Sequence, residues 1–576
     1  MISIIELWNR QVAIRKNEIA LCYEGKEYTY SKIDYMANVV AEEVENLTKS
    51  SLVGVMMSAS AEYVISVLGI LKSGRGFVPI DKNDPITRKK YIIKDCHLDT
   101  LIISDIDEKI VEDTISHIIV NGKEKEENIT YSLKTEIAYV LYTSGTTGVP
   151  KGIMVGHESI ENLITWFQEV YKIEQNKNII CMANISFDVS IEEIFGCILN
   201  GGKLHIPKEN IKSHKGKIRE FIRENEINIV QVVPILLDEI FAHDEKIDSI
   251  RILICGGEIL SNELKDTILA KGYKLYNHYG PTETTVDATR SICEMRKKVT
   301  LGKPIKNSKC CVLTLGGELE TENATGELCV LGKNLALGYF NNEKLTSEKF
   351  LVINGERIYR TGDKAHINLD GEIEYLGRMD NQVKLRGRRI ELEEIDIYFS
   401  RLDGISLCKS ILIENETGGK IVTFYSSNIE YEYNVAISMV KEYLPIYMLP
   451  AEIYRLDHFI QNSNGKILQS ELANIYKKQK ENNKSNRKGE NNKHKSEEDE
   501  ILGIVMEVVA KVLIKEIYEI NSGITLDELG LNSITFVKIV VELEDQFDIE
   551  FDDDRLVMSK FKSLKEISEY IEKSRY

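Results

Sequence analysis

Apolar residues recur along this chain in short, regularly spaced runs. Leu52–Met57, Thr100–Ile103, Ile137–Thr143, Ile179–Ala183, Ile229–Val233 and Ile250–Ile254 are strand-length and rich in Val, Ile and Leu. Between them lie stretches with helical spacing, such as Ala61–Ser73 and Lys215–Asn225. The alternation predicts α/β layers with parallel strands inside. From about Asn381 to Tyr476 the pattern restarts on a smaller, α+β scale. Lys477–Glu500 contains no apolar residue. It has no surface to bury against the entropy of ordering, so a flexible linker is expected. Beyond it, Ile501, Ile504, Val505, Val508, Val509 and Val512 fall at helical spacing, which predicts a small all-α, four-helix-type domain. The expected boundaries are 1–379 for a large α/β subdomain, 380–476 for a small one, 477–498 for the linker and 499–576 for the helical domain. There are no internal repeats.

Composition narrows the picture. A hydrophobic fraction of 43% over 576 residues suffices for several packed cores. The start, MISIIELWNRQVAIRKNEIA, breaks its apolar pattern with charges, unlike a signal peptide. No stretch reaches the roughly 18 uncharged apolar residues of a membrane span, so a soluble, cytoplasmic protein is expected. Ten cysteines without a CxxC pair, and the absence of HExxH, suggest neither a disulfide framework nor a protein-ligated catalytic metal. The net charge of −18 disfavours general nucleic-acid binding. It is uneven: 477–496 carries 8 basic and 2 acidic residues, whereas 499–576 carries 9 basic and 18 acidic ones. Such sign changes mark module edges.

The most specific chemistry is in LYTSGTTGVPKG, Leu141–Gly152. Thr143, Ser144, Gly145, Thr146, Thr147 and Gly148 follow an apolar strand. The glycines let backbone amides converge on an anion, the hydroxyls add donors, and Lys151 adds positive charge. Because Gly152 follows Lys151, the common P-loop GxxxxGK[ST] is not satisfied.

This string resembles the signature of the adenylate-forming (AMP-binding) enzymes, and further motifs resemble the adenylation domains of non-ribosomal peptide synthetases. Leu71–Asp81, Phe187-Asp188-Val189-Ser190, Asn277–Glu283 (NHYGPTE), Gly326-Glu327-Leu328 through Gly338-Tyr339, Tyr359–Asp363 (YRTGD), Gly377–Lys384 (GRMDNQVK), Leu444–Pro450 and Asn464-Gly465-Lys466 occur in the family's order. The resemblance implies attack of a carboxylate on the α-phosphorus of ATP with loss of pyrophosphate, helped by positioning and charge neutralisation. It assigns Thr143–Lys151 to the departing phosphates, Glu283 to Mg²⁺ and Thr282 to the α-phosphate. Tyr279 stacks on adenine beside Asn277, and Asp363, helped by Arg378, accepts the ribose hydroxyls. Lys466 bridges substrate carboxylate and phosphate charge, although Asn462, Ser463, Leu468 and Gln469 depart from the usual flanks. Asp380 falls at the family's hinge, about which one orientation brings Lys466 in and another admits the carrier thiol.

Asp188 matches the family's partner for a substrate α-ammonium, so an amino acid is the expected acid. Aligned by motif, its pocket is lined by Asp188, Val189, Glu192, Gln231, Leu253, Cys255, His278, Val286, Asp287 and Lys466. This polar set suggests a basic or polar side chain.

The C-terminal segment resembles an acyl or peptidyl carrier protein. Ser533, in Glu528–Ile534 (ELGLNSI), is the expected attachment point of 4′-phosphopantetheine, with Asn532 replacing the usual Asp. Helix-forming Val540–Phe547, with Glu542, Glu544 and Asp545, offers an acidic face. The implied protein is a free-standing adenylation–carrier didomain. Its implied partners are a phosphopantetheinyl transferase and downstream condensation or tailoring enzymes, with neither nucleic acid nor membrane. A D-alanine-type ligase loading a separate carrier, a CoA ligase and a non-catalytic scaffold are the alternatives.

Overall fold

The computed structural model describes residues 3–104, 115–127, 129, 131–145, 148–173, 177–212, 214–380, 382–413, 419–460, 467–490, 497–513 and 563–574, with 520, 526, 536, 539–540, 543–544, 546–547, 551 and 561. They divide into two compact units, Met1–Leu468 and Gln469–Tyr576.

The first unit is built on two largely parallel sheets. The first contains β1 (Leu52–Met56), β2 (Gly76–Ile80), β3 (Thr100–Ile103), β4 (Ile137–Thr143) and β5 (Lys151–Gly156). β1 pairs in parallel with β2 and β3, and β2 with β4, while β5 runs antiparallel to β4. β1 and β2 are buried along their whole length, as expected of parallel strands covered on both faces. Helix α1 (Ala61–Lys72) follows β1 and starts where Ser60 Oγ accepts from Tyr63 N.

The second sheet has β6 (Asn178–Ile180), β7 (Ile229–Val232), β8 (Ile252–Cys255) and β9 (Leu275–Tyr279) side by side and parallel, with β10 (Thr289–Ile292) antiparallel to β9. Two helices, α2 (His157–Tyr171) and α3 (Val189–Ile198), pack on each other and enter the same core as Ile229 and Ile254. Strand β8 begins two residues later than its apolar run suggests, because Ile250 closes a turn onto Ile247 O.

A third, antiparallel sheet contains β11 (Ala324–Gly332), β12 (Glu356–Ile367) and β13 (Ile373–Arg378). After Asp380 comes a hairpin of β14 (Gln382–Leu385) and β15 (Arg388–Glu391), then α4 (Leu392–Phe399). A three-stranded sheet, Ile405–Ile413, Lys420–Ser427 and Glu452–Arg455, completes the small α+β part. Its core is separate from the two larger ones.

The second unit contains α5 (Gln469–Glu490), α6 (Glu497–Leu513) and α7 (Leu564–Ser574), and its core includes Val505 and Val509 of α6, Leu564 and Ile571 of α7, and Phe536 and Leu543. Here the structure corrects one expectation. The stretch from Lys477, expected as a flexible linker, is helical as far as Glu490. Its lysines, glutamines and glutamates are good helix formers, and lack of apolar surface does not forbid a helix continued from the Leu472–Tyr476 turn.

Candidate active site

The phosphate loop is held at both ends by the first sheet, because Thr143 and Lys151 are register partners across β4 and β5. The hairpin that follows the hinge sits on this loop. Ser144 Oγ donates to Arg389 O at 2.9 Å and accepts from Glu391 N at 3.1 Å. Gly145 N donates to Glu394 Oε2 at 3.1 Å, and Lys151 Nζ lies 3.4 Å from Glu391 Oε1. Carboxylates of the hairpin and of α4 thus take donors suited to phosphate oxygens. The buried Thr143 Oγ1 has no partner among the described residues, a spare donor that fits an incoming phosphate. Gly148 closes the loop onto Gly145 O, whereas Thr146 and Thr147 lie outside the described residues.

Glu283 is wholly buried in the short turn Thr282–Thr284. Its Oε1 accepts from Tyr339 Oη and its Oε2 from Arg389 Nη1, both at 2.7 Å. Burial pushes this carboxyl up, but Arg389 and Lys151 outweigh it and hold it at about 2. Burial and Arg389 depress the Lys151 ammonium to about 8, against Glu283 and Glu391. A carboxylate ionised at every physiological pH is a sound ligand for a hard divalent cation. Mg²⁺ therefore fits Glu283 once Arg389 withdraws, and hairpin and metal compete for one oxygen.

Beside it lies a ring of polar contacts suited to a nucleoside. Tyr279 Oη donates to Asp363 Oδ2 at 2.5 Å, and Arg378 Nη1 donates to Asp363 Oδ1 at 2.9 Å. Asp363 and Arg378 are partners across β12 and β13. Arg378 Nε also donates to Asp380, at 2.8 Å to Oδ1, and Asp380 accepts from Gln382 N. Lys384 Nζ stands 5.6 Å from the centre of the Tyr279 ring. Asn277 is spent on the backbone, donating to Thr300 O at 2.9 Å. Asp188 opens α3, and burial pushes its carboxyl up while Thr282 works against that rise.

Strand alternation decides which pocket residues meet. Gln231 and Ile254 are register partners across β7 and β8, and Ile254 and Tyr276 across β8 and β9. That face, which includes His278, looks toward α2 and α3. Leu253 and Cys255 point the other way, into the core formed with Val230, Val232 and Leu275. Their assignment to the pocket is therefore corrected to Ile254 and Gly256, one residue later in each case. A Cβ on Gly256 would lie 3.0 Å from His278 O, so glycine lets the end of β8 approach β9.

Asp188 and Glu192 lie four residues apart and share a face of α3. Gln231 Nε2 donates to Glu192 Oε2 at 2.8 Å. Tyr171 Oη and His278 Nε2 are 2.6 Å apart, and His278 Nδ1 is 2.5 Å from Asp287 Oδ2. Thr285 and Val286 have φ of 54° and 67°, a left-handed pair that β-branched residues avoid. They carry the chain from the Glu283 turn to Asp287. Val189, which follows Asp188, is half-buried, and Val286 is buried.

The structure thus joins Thr143, Ser144, Lys151 and Glu283 in one place, Tyr279, Asp363, Arg378 and Asp380 in a second, and Asp188, Glu192, Gln231, His278 and Asp287 in a third. Lys466 and Ser533 lie outside the described residues. Arg389, Glu391, Glu394 and Tyr339 are site residues that motif reading missed. The available signal was the run RGRRIELEE, three arginines and then three glutamates shortly after the GRMDNQVK motif, too polar for a hairpin exposed to no partner.

The AMP-binding enzyme model matches residues 8–340, and the phosphopantetheine attachment site model matches 504–571, which contains Ser533. The chain belongs to the AMP-binding enzyme family. It is 32% identical over 495 residues to zwittermicin A synthase ZmaJ of Bacillus cereus, covering 82% of this chain and 94% of that one. It is 34% identical over 491 residues to gramicidin S synthase 1 of Brevibacillus brevis, covering 82% of this chain but 44% of that one. The chain therefore spans less than half the length of the latter. The holo structure of an NRPS protein containing adenylation and PCP domains, bound to a vinylsulfonamide inhibitor, superposes with a TM-score of 0.74 at 20% identity, over 99% of this chain and 97% of that one. The fold is an adenylate-forming fold followed by a carrier domain. No helix among the described residues is long and apolar enough to cross a membrane.

Proposed function

We propose that this chain joins the carboxylate of an amino acid to the α-phosphorus of ATP, releasing pyrophosphate, and passes the aminoacyl group to a phosphopantetheine thiol on its own Ser533, releasing AMP. The observation that carries this reading is the convergence of the phosphate loop with Glu283 beside the Tyr279–Asp363–Arg378 ring. Thr143, Ser144 and Lys151 hold the departing phosphates, which are then neutralised where they leave. Asp363 and Arg378 orient the ribose, and Tyr279 supports adenine. Bound Mg²⁺, held through Glu283, supplies further charge neutralisation. Asp188 accepts the substrate's α-ammonium, and Lys466 holds the carboxylate toward the phosphate.

The hairpin occupies the same donors that ATP needs. Adenylation therefore proceeds with the hairpin withdrawn, and the docked hairpin belongs to the step after pyrophosphate has left. Rotation about Asp380 exchanges the two states. The implied partners are a phosphopantetheinyl transferase and enzymes that accept the loaded amino acid.

The test is intact-mass analysis of the phosphopantetheinylated protein with ATP, Mg²⁺ and an amino-acid pool. One aminoacyl increment beyond the arm is expected. Ser533→Ala should lose both additions and keep ATP–pyrophosphate exchange. Loading retained in that variant overturns the carrier assignment, and absence of exchange with every amino acid overturns the activity.

A further inference from the structure

The third cluster carries more than an amino-acid site. Glu192 is completely buried and Asp287 nearly so. Among the described residues neither meets a lysine or arginine within ion-pairing distance, and Asp287 meets only His278. Glu192 takes one hydrogen bond, from Gln231, while its Oε1 is buried with no donor. A carboxylate oxygen of Glu192 instead lies within 4.8 Å of one of Asp287, and Asp287 Oδ2 is likewise buried with no donor among the described residues. Two carboxyls this close together and far from solvent are costly to keep. What the pair lacks is a cation with several N–H donors.

We propose that Glu192 and Asp287 form the far end of the substrate pocket and select an amino acid with a second ammonium on its side chain, of the ornithine or lysine class. This rests on the adenylation reading. Asp188, one helical turn from Glu192, takes the α-ammonium, so one face of α3 spaces both anionic partners of a diamino acid. Ile254 is apolar and lies on the same strand face as Gln231, a wall suited to a methylene chain. A side-chain ammonium supplies three donors and reaches the free Glu192 Oε1 and Asp287 Oδ2, and any proton the carboxyl pair held leaves to solvent. The same three side chains, Glu192, His278 and Asp287, could bring ligand atoms around a metal ion. At His278, Nε2 is engaged with Tyr171, while Nδ1, 2.5 Å from Asp287 Oδ2, makes no hydrogen bond among the described residues, so metal and ammonium are separated by the experiment below.

The experiment is ATP–pyrophosphate exchange on the full chain with ornithine, lysine, 2,4-diaminobutyrate, norleucine, glutamine, leucine and phenylalanine. A diamino acid should exceed norleucine and glutamine by about 100-fold or more in kcat/KM, because a site built for a charge rejects analogues that leave it unpaired. In Glu192→Gln and Asp287→Asn the preference should shrink by about 10-fold or more, through KM, while exchange with norleucine holds or rises; a purely structural role would depress all substrates together. Best activity with leucine, phenylalanine or glutamine overturns the substrate class and leaves adenylation standing. Exchange with none of the amino acids overturns both. A transition metal retained at about one per chain after gel filtration, by elemental analysis, also overturns the proposal, since a metal and an ammonium cannot share the carboxyl pair.

Discussion

At the scale of single residues, the site is governed by which buried charges have partners. Glu283 is held ionised by Arg389 and Lys151. Arg389→Gln leaves Glu283 without that cation only while the hairpin is docked. Breaking a buried pair costs about 3–5 kcal/mol, so the docked state loses population. Carrier loading should fall about 10-fold or more, with pyrophosphate exchange largely kept; equal losses in both half-reactions would refute the separation. The substrate pocket makes a pH statement. Burial holds the Glu192 carboxyl well above its usual range and brings Asp287 up to about 7. The empty folded pocket therefore binds protons that the unfolded chain has released, and the stability linked to them is lost as pH rises through about 7. A bound ammonium reverses the preference. KM for a diamino acid should fall as pH rises from about 6 to about 8, while KM for norleucine does not. The facing groups leave Asp287 as the titrating one: His278 is pushed down to about 4 by burial, Tyr171 is pushed up by burial, Gln231 carries no charge, Arg290 sits across from His278 on β10, and Asp188 lies a turn away on α3. A KM trend of the opposite sign would contradict the assignment.

At the scale of elements, the hairpin β14–β15 is the part that the proposed function requires to move between half-reactions. Its turn residue Gly387 has φ 74°, and a Cβ there would come within 2.4 Å of Val233 Cγ1. Gly387 N also donates to Glu258 Oε1 at 2.9 Å. Gly387→Ala therefore penalises docking by strain and by contact, about 1 kcal/mol from the left-handed backbone alone. The expected result is slower loading of the holo carrier and near-normal exchange. Hydrogen exchange over residues 382–391 should rise when ATP and Mg²⁺ are added, because nucleotide phosphates and hairpin carboxylates compete for Ser144, Gly145 and Lys151. Unchanged protection with saturating nucleotide would show that the two do not compete. Motif order made this element visible as a hinge followed by basic and acidic residues, but not as a plug on the phosphate loop. The pairing of Ser144 with Arg389 and Glu391 joins residues about 250 apart, and no local pattern encodes such a contact.

At the scale of the whole molecule, the chain is two units with separate cores. Calorimetry should show two unfolding transitions, of which ATP with Mg²⁺ raises only the larger, since a ligand stabilises the unit that binds it. A single transition shifted as a whole would contradict independent units. The sequence by itself determined the layer order, strands β1, β3, β4, β6, β7 and β8 to within about three residues, the motifs that carry the phosphate loop and Tyr279, Glu283 and Asp363, and the carrier-like helical end. These depend on short-range patterning and on motifs whose chemistry restricts the residue types. Tertiary structure alone decided which side of β8 faces the substrate, turning Leu253 and Cys255 into core residues and Ile254 into a wall. It also continued α5 through a run with no apolar residue, and set Arg389 on Glu283. The reason is physical: a one-residue register change reverses every side chain of a strand, and a buried charge finds its partner through space, at a distance along the chain that periodicity does not record.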